Sequence, residues 1–132
     1  MAILEDGLLQ LLKQNTDLVT LFTLKGFFLN SVSQSAHDPS MCIQKISATP
    51  DTTNDGPSGL NFRRYQFSCY SKSYVTCLQA QELIRIAIDG FHGFLPNGQR
   101  VYNIIRDNEL DGFDDITGEH RTLTDYFVHF AE

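Results

Sequence analysis

The sequence has no long apolar run, no excess of positive charge and few cysteines, and each shortage closes off a class of protein. Lys and Arg number 10 against 16 Asp and Glu, giving a formal net charge of −6. A protein held to nucleic acid through phosphates needs a basic face, so that class is disfavoured. The opening stretch MAILEDGLLQLLKQ begins with acid, and its leucines are spaced rather than continuous. It is expected to be neither a signal peptide nor a membrane span. Cys42, Cys69 and Cys77 are odd in number and lack CxxC spacing, which predicts free thiols in a reducing compartment.

The recognisable chemistry motifs are missing too. There is no GxSxG, HExxH, P-loop, GxGxxG or EF-hand spacing. His37, His92, His120 and His129 are scattered, and only the last two could approach each other, across the final strand. Exposed or edge histidines are the default there, not a zinc site. Cys69 and Cys77 fall on faces read as buried, where a thiol packs as a small hydrophobe. The expectation is a protein without catalytic residues, cofactor or metal.

What is present is ordinary globular patterning. A chain of 132 residues suggests a single domain, 1–132, able to bury a core without a metal or disulfide staple. Leu4, Leu8, Leu11 and Leu12 recur at helical spacing, with Gly7 weakening that helix. Thr16 is a candidate cap for a second turn, Asp17 to Phe22, and Gly26 ends the helical region. Gly26 to Val32 and Met41 to Ala48 read as strands. Asn61 to Ser71 is clearer, with Tyr65, Phe67 and Cys69 opposite Arg64, Gln66 and Ser68. Ser73 caps the best helix, Tyr74 to Asp89, whose apolar stripe runs through Cys77, Ala80, Ile84, Ala87 and Phe91.

Pro96-Asn97-Gly98 is a turn, and Gln99 to Asn108 reads as a strand with Val101 and Ile105 among polar neighbours. Asp111 to Glu119 reads as a loop. Arg121 to Phe130 is the last strand, with Thr124, Tyr126, Val128 and Phe130 alternating against Asp125, Phe127 and His129. Runs of strands with two helical regions predict an α+β fold. The expected sheet has four or five strands, antiparallel or mixed, with the long helix and the N-terminal helices on one face.

Three features are candidates for function. The first is the long polar connection from Pro50 to Gly59, including Asp51, Asn54, Asp55, Gly56, Pro57, Ser58 and Gly59. Phosphate binding by DGPSG fails on context: the run opens a strand, not a helix, and lies beside Asp51 and Asp55. Gly56-Pro57 and Ser58-Gly59 are read as turn-forming. The second is Val75, Leu78 and Ile86 on the polar side of the long helix. Singly exposed apolar residues are normal, and three on one face can also be a subunit contact. The third is the acidic run Asp107, Glu109, Asp111, Asp114, Asp115 and Glu119. A solvated face is its plain reading, and a functional electrostatic surface the alternative.

The stretches ISATPDTTNDGPSGL, RRYQFSCYSKSY, IRIAIDGF and RDNELDGFDDITGEHRTLTDYFVHF together resemble the tail-completion, or tail-terminator, proteins of long-tailed double-stranded DNA phages and prophages. The resemblance spans most of the chain and is strongest over Ile43 to Phe91 and Arg106 to Phe130. It implies a structural virion protein that forms a ring, usually hexameric, at the head-proximal end of the tail. Such a ring stops tail-tube growth and presents a surface to the head-side connector. The implied partners are copies of itself, the tail-tube protein and the connector; the net negative charge adds the expectation that genomic DNA passes without specific binding. The implied location is the virion neck, after synthesis in the bacterial cytoplasm, with no membrane contact. The alternatives are a head-closure or connector protein, or a small enzyme or ligand-binding α+β domain.

Overall fold

The N-terminal leucine stripe folds as α1 (Leu4–Lys13), with Glu5 and Asp6 in its first turn and Lys13 in its last. That charge order suits the helix dipole. The computed structural model describes residues 3–23, 26–29, 38–53 and 56–131; residues 47–53 and 56–61 are described by backbone pairing alone. Gly7 sits in α1 because a neighbour leaves no room for a side chain. A Cβ there would lie 2.5 Å from the Asn97 amide oxygen and 2.8 Å from a Leu95 methyl. Helix α2 (Thr16–Phe22) is capped by Asn15, whose side chain accepts from the Leu18 N–H at 3.0 Å. Thr16 is therefore the first helical residue and not the cap.

Ser73 caps α3 (Tyr74–Ile88) as expected, accepting from the Thr76 N–H. The buried positions of α3 are Cys77, Ala80, Ile84 and Ile88. Ala80, Ile84 and Ile88 pack in one core with Leu8, Leu12, Leu18 and Phe22 from the other helices and with the inner face of the sheet. Burying each large apolar side chain contributes about 1.5–3 kcal/mol. No helix among the described residues is long and apolar enough to cross a membrane.

Among the described residues the sheet has six strands, in the order β1-β2-β3-β6-β5-β4, one more than the upper expectation. They are β1 (Phe27–Leu29), β2 (Ser40–Thr53), β3 (Gly56–Ser71), β4 (Gly93–Phe94), β5 (Arg100–Asp114) and β6 (Glu119–Ala131). Strand β1 runs parallel to β2, and every other pair is antiparallel, so the α+β sheet is mixed. Helix α3 packs on β3 and β6, and α1 on β1 and β2. The covered face carries Met41, Ile43, Tyr65, Phe67, Cys69, Tyr126 and Val128, all buried.

Three sequence expectations are corrected by the pairing. The long polar connection is not a loop. Strands β2 and β3 continue pairing through Thr52↔Pro57 and Thr53↔Gly56, with a register irregularity between Pro50 and Thr52. Only Asn54 and Asp55 separate them, and those two lie outside the described residues. The acidic stretch Asp111 to Asp114 likewise belongs to β5, paired with Glu119 to Thr122.

The third correction concerns β5. Val101 is buried as expected, but Ile105 is exposed and Ile104 takes the inward place. The cause is a shift of register between Val101 and Asn103, where Tyr102 is the extra residue. One inserted residue reverses which side chains face inward, because side chains alternate with period two. A second shift, at Asp107, restores the original parity.

Candidate functional site

The described residues offer three surfaces and no converging set of reactive groups. All three thiols are buried. Burial pushes Cys42 to about 11, Cys69 to about 12 and Cys77 to about 11, away from the thiolate that a nucleophile or metal ligand requires. His120 and His129 sit near opposite ends of β6, about 30 Å of strand apart, so the approach of these two histidines that the sequence allowed does not occur. His120 packs against Tyr74 and Phe113, whereas His129 stacks on Phe62 at 4.2 Å. Among the described residues no three His, Cys, Asp or Glu side chains come together as a metal site would require.

The first surface is the far end of the β2–β3 hairpin. Strand β6 pairs with β3 only from Leu60 onward, and β1 pairs with β2 only over Met41 to Ile43. Asp51 to Thr53 and Gly56 to Gly59 thus form a two-stranded arm. It extends about 13 Å beyond the last three-stranded pairing at ~3.3 Å per residue. Asp51, Gly56, Pro57, Ser58 and Gly59 lie on this arm, and Asn54 and Asp55 lie outside the described residues. Pro57 is compatible with it because an edge strand tolerates a missing N–H.

The second surface is an open groove of ≈ 680 Å³ between α2 and α3. Its floor is apolar, with Leu21, Val75, Leu78 and Leu83, and Asp17 and Glu82 stand among its lining residues. Val75 is 63% exposed. The structure therefore brings Val75 and Leu78 together in one groove, and leaves Ile86, also exposed, outside its lining. Glu82 is partnered by Arg85, which holds its carboxyl below the usual range. Asp17 makes no ion pair with any described residue.

The third surface is the β5–β6 hairpin, where the acidic residues disperse. Asp107 meets Arg64 at 2.9 Å, and Arg64 is shared with Asp125 at 2.6 Å. Glu109 pairs with Arg106 at 3.0 Å. Asp111 accepts from the Tyr74 hydroxyl. Asp114 turns back to accept from the N–H groups of Ile116 and Thr117, which lowers its pKa. Asp115 stands exposed in the turn, and Glu119 opens β6 opposite Asp114. Gly118, at φ 73°, closes the turn in a conformation that L side chains rarely adopt.

Sequence reasoning missed two exposed apolar residues at the chain's turns. Phe94 is 66% exposed beside the Pro96-Asn97-Gly98 turn, and Ile116 is 95% exposed at the tip of the acidic hairpin. Ile116 could have been noticed as an isolated large apolar residue in a turn, whereas Phe94, next to Leu95 in the two-residue strand β4, carried no such signal.

No family model matches this sequence, and no curated protein does. Among solved structures, the chain is similar to one in the "Virion of native gene transfer agent (GTA) particle", with a TM-score of 0.80 and 11% identity. The match covers 98% of this chain and 95% of the other. At that identity the likeness is one of fold.

Proposed function

We propose that this chain is a structural component of a phage-like particle, specifically a tail terminator. In this reading it forms a ring, six-fold in symmetry, at the head-proximal end of the tail. It caps the tail tube and docks the head-side connector. The observation that carries the proposal is the near-full-length fold likeness to a chain of a gene transfer agent virion. The sequence resemblance to tail-completion proteins narrows it to the terminator.

The surfaces suit a docking role. The thiols are buried and the carboxylates dispersed, while the apolar groove and the projecting arm are available for contact. In the proposed assembly the arm reaches a neighbouring subunit or the adjoining tail ring. As a paired hairpin it loses less conformational entropy on docking than a disordered loop would.

Charge supports a passive channel. Six copies at −6 sum to roughly −36, which disfavours binding of phosphates to the wall. Arg63 stands 3.8 Å from Glu5, and Arg64 is held between Asp107 and Asp125, whereas Arg100 and Arg121 are exposed without an ion pair to any described residue; a channel lined mainly by these four arginines would refute the passive wall.

Electron microscopy of particles made without this chain tests the reading. Separate full heads and overlong or unjoined tails are expected. Unjoined tails of normal length would move the chain to the head side, as a connector. Joined, infectious particles of normal length would end the proposal.

A further inference from the structure

Phe94 is not among the residues that line the α2–α3 groove, so the two are separate surfaces. Helix α2 leads into β1, with Phe22 packed on Phe27 at 5.5 Å, and β1 is one edge of the sheet. Strand β4, which carries Phe94, is the other edge. Phe94 is held outward by its neighbours: Leu95 is buried, and the Leu95 N–H is fixed to the Gln99 carbonyl at 2.8 Å. Arg100 lies over the Phe94 ring at 5.5 Å and the Tyr102 ring at 5.1 Å, and no described carboxylate pairs with it.

The geometry points to a head-to-tail contact between two copies of this chain, in which Phe94 of one copy enters the α2–α3 groove of the next. The contact rests on the self-assembly reading above and supplies its surfaces. Arg100 then stands beside Asp17, so two exposed charges that have no ion pair with any described residue gain their opposites at the rim. Aromatic and arginine anchors commonly dominate such contacts. Ile116 is more exposed, yet its neighbours Asp114 and Asp115 would meet Asp17 as like charges, so it fits this groove poorly. A contact between two different surfaces is the heterologous kind that a ring requires.

Native mass spectrometry and sedimentation of the full chain over a concentration series test the contact. Phe94→Ala and Val75→Asp should each weaken association at least about tenfold. Both positions are exposed, so circular dichroism should show an unchanged fold. An equimolar mixture of the two variants should form dimers and nothing larger, because one intact groove and one intact Phe94 remain per pair. Phe94→Cys mixed with Leu78→Cys should give a covalent dimer under oxidation even where the contact is weak.

Undiminished association of either single variant, or assemblies beyond dimers in the mixture, overturns the contact. So does the lack of any cross-link at high concentration. A wild-type ring that survives both substitutions leaves self-assembly intact and rejects only these surfaces. Joined particles in the absence of the chain would instead reject the virion role and leave the contact to be judged by the cross-link.

Discussion

Tyr65 and Tyr126 are cross-strand partners in the β3–β6 ladder, both fully buried, and only Tyr65 has its hydroxyl satisfied by a described residue. Tyr65 donates to the Glu5 carboxylate at 2.9 Å, tying the sheet to α1. The Tyr126 hydroxyl has no hydrogen-bond partner among the described residues. Burial pushes both phenols well above their ordinary pKa.

This asymmetry predicts opposite outcomes for one chemical change. Tyr65→Phe should cost about 1.5–3 kcal/mol, the net worth of a hydrogen bond to a charged group. Tyr126→Phe should be neutral or stabilising by up to about 1 kcal/mol, since it removes an unsatisfied buried group. Urea unfolding of the two variants checks this, and a larger loss at Tyr126 would contradict it.

The extra residue at Tyr102 makes a second contrast. Ile104→Ala should lose about 2–5 kcal/mol, because it opens a cavity in the core. Ile105→Ala, one residue along on the open face, should stay within about 0.5 kcal/mol of the parent. Thermal and denaturant melts of the two variants would show whether the inward place belongs to Ile104.

The thiols predict a dependence on alkaline pH. Cys42, Cys69 and Cys77 have folded values raised above their ordinary 9.0 by burial. A raised folded pKa contributes stability that is complete below the unfolded value and is lost as pH rises through the folded one. Stability should therefore be insensitive to these groups up to about pH 9 and decline toward pH 11–12. At pH 8 a thiol reagent should label no cysteine in the native protein and all three after unfolding. Rapid native labelling would show that the thiols are accessible.

Parts of the candidate site were readable in advance. Val75 and Leu78 stood out because α3 buries a stripe of 3.6-residue period, and residues off that stripe must face away from the core. Leu21 and Leu83 were not recognisable as groove residues, because a groove exists only once α2 and α3 are placed side by side. Phe94 gave no periodic signal, since a two-residue strand is too short to show alternation. The acidic run looked like one cluster because its members are neighbours in sequence. Pairing in β5 sends Asp107 toward Arg64 and Asp111 toward Tyr74, on opposite faces of the sheet.

The amino-acid order alone determined the α+β class, the cap and buried stripe of α3, and the alternation of β3 and β6. Each depends on local period or on a cap within three residues of its partner. Tertiary structure decided what depends on partners distant in the chain. It placed β1 parallel to β2, extended the polar connection into a paired arm, and inserted Tyr102 so that Ile104 replaced Ile105 in the core. A strand's period tells which residues share a face, but the register of the neighbouring strand decides where that period breaks.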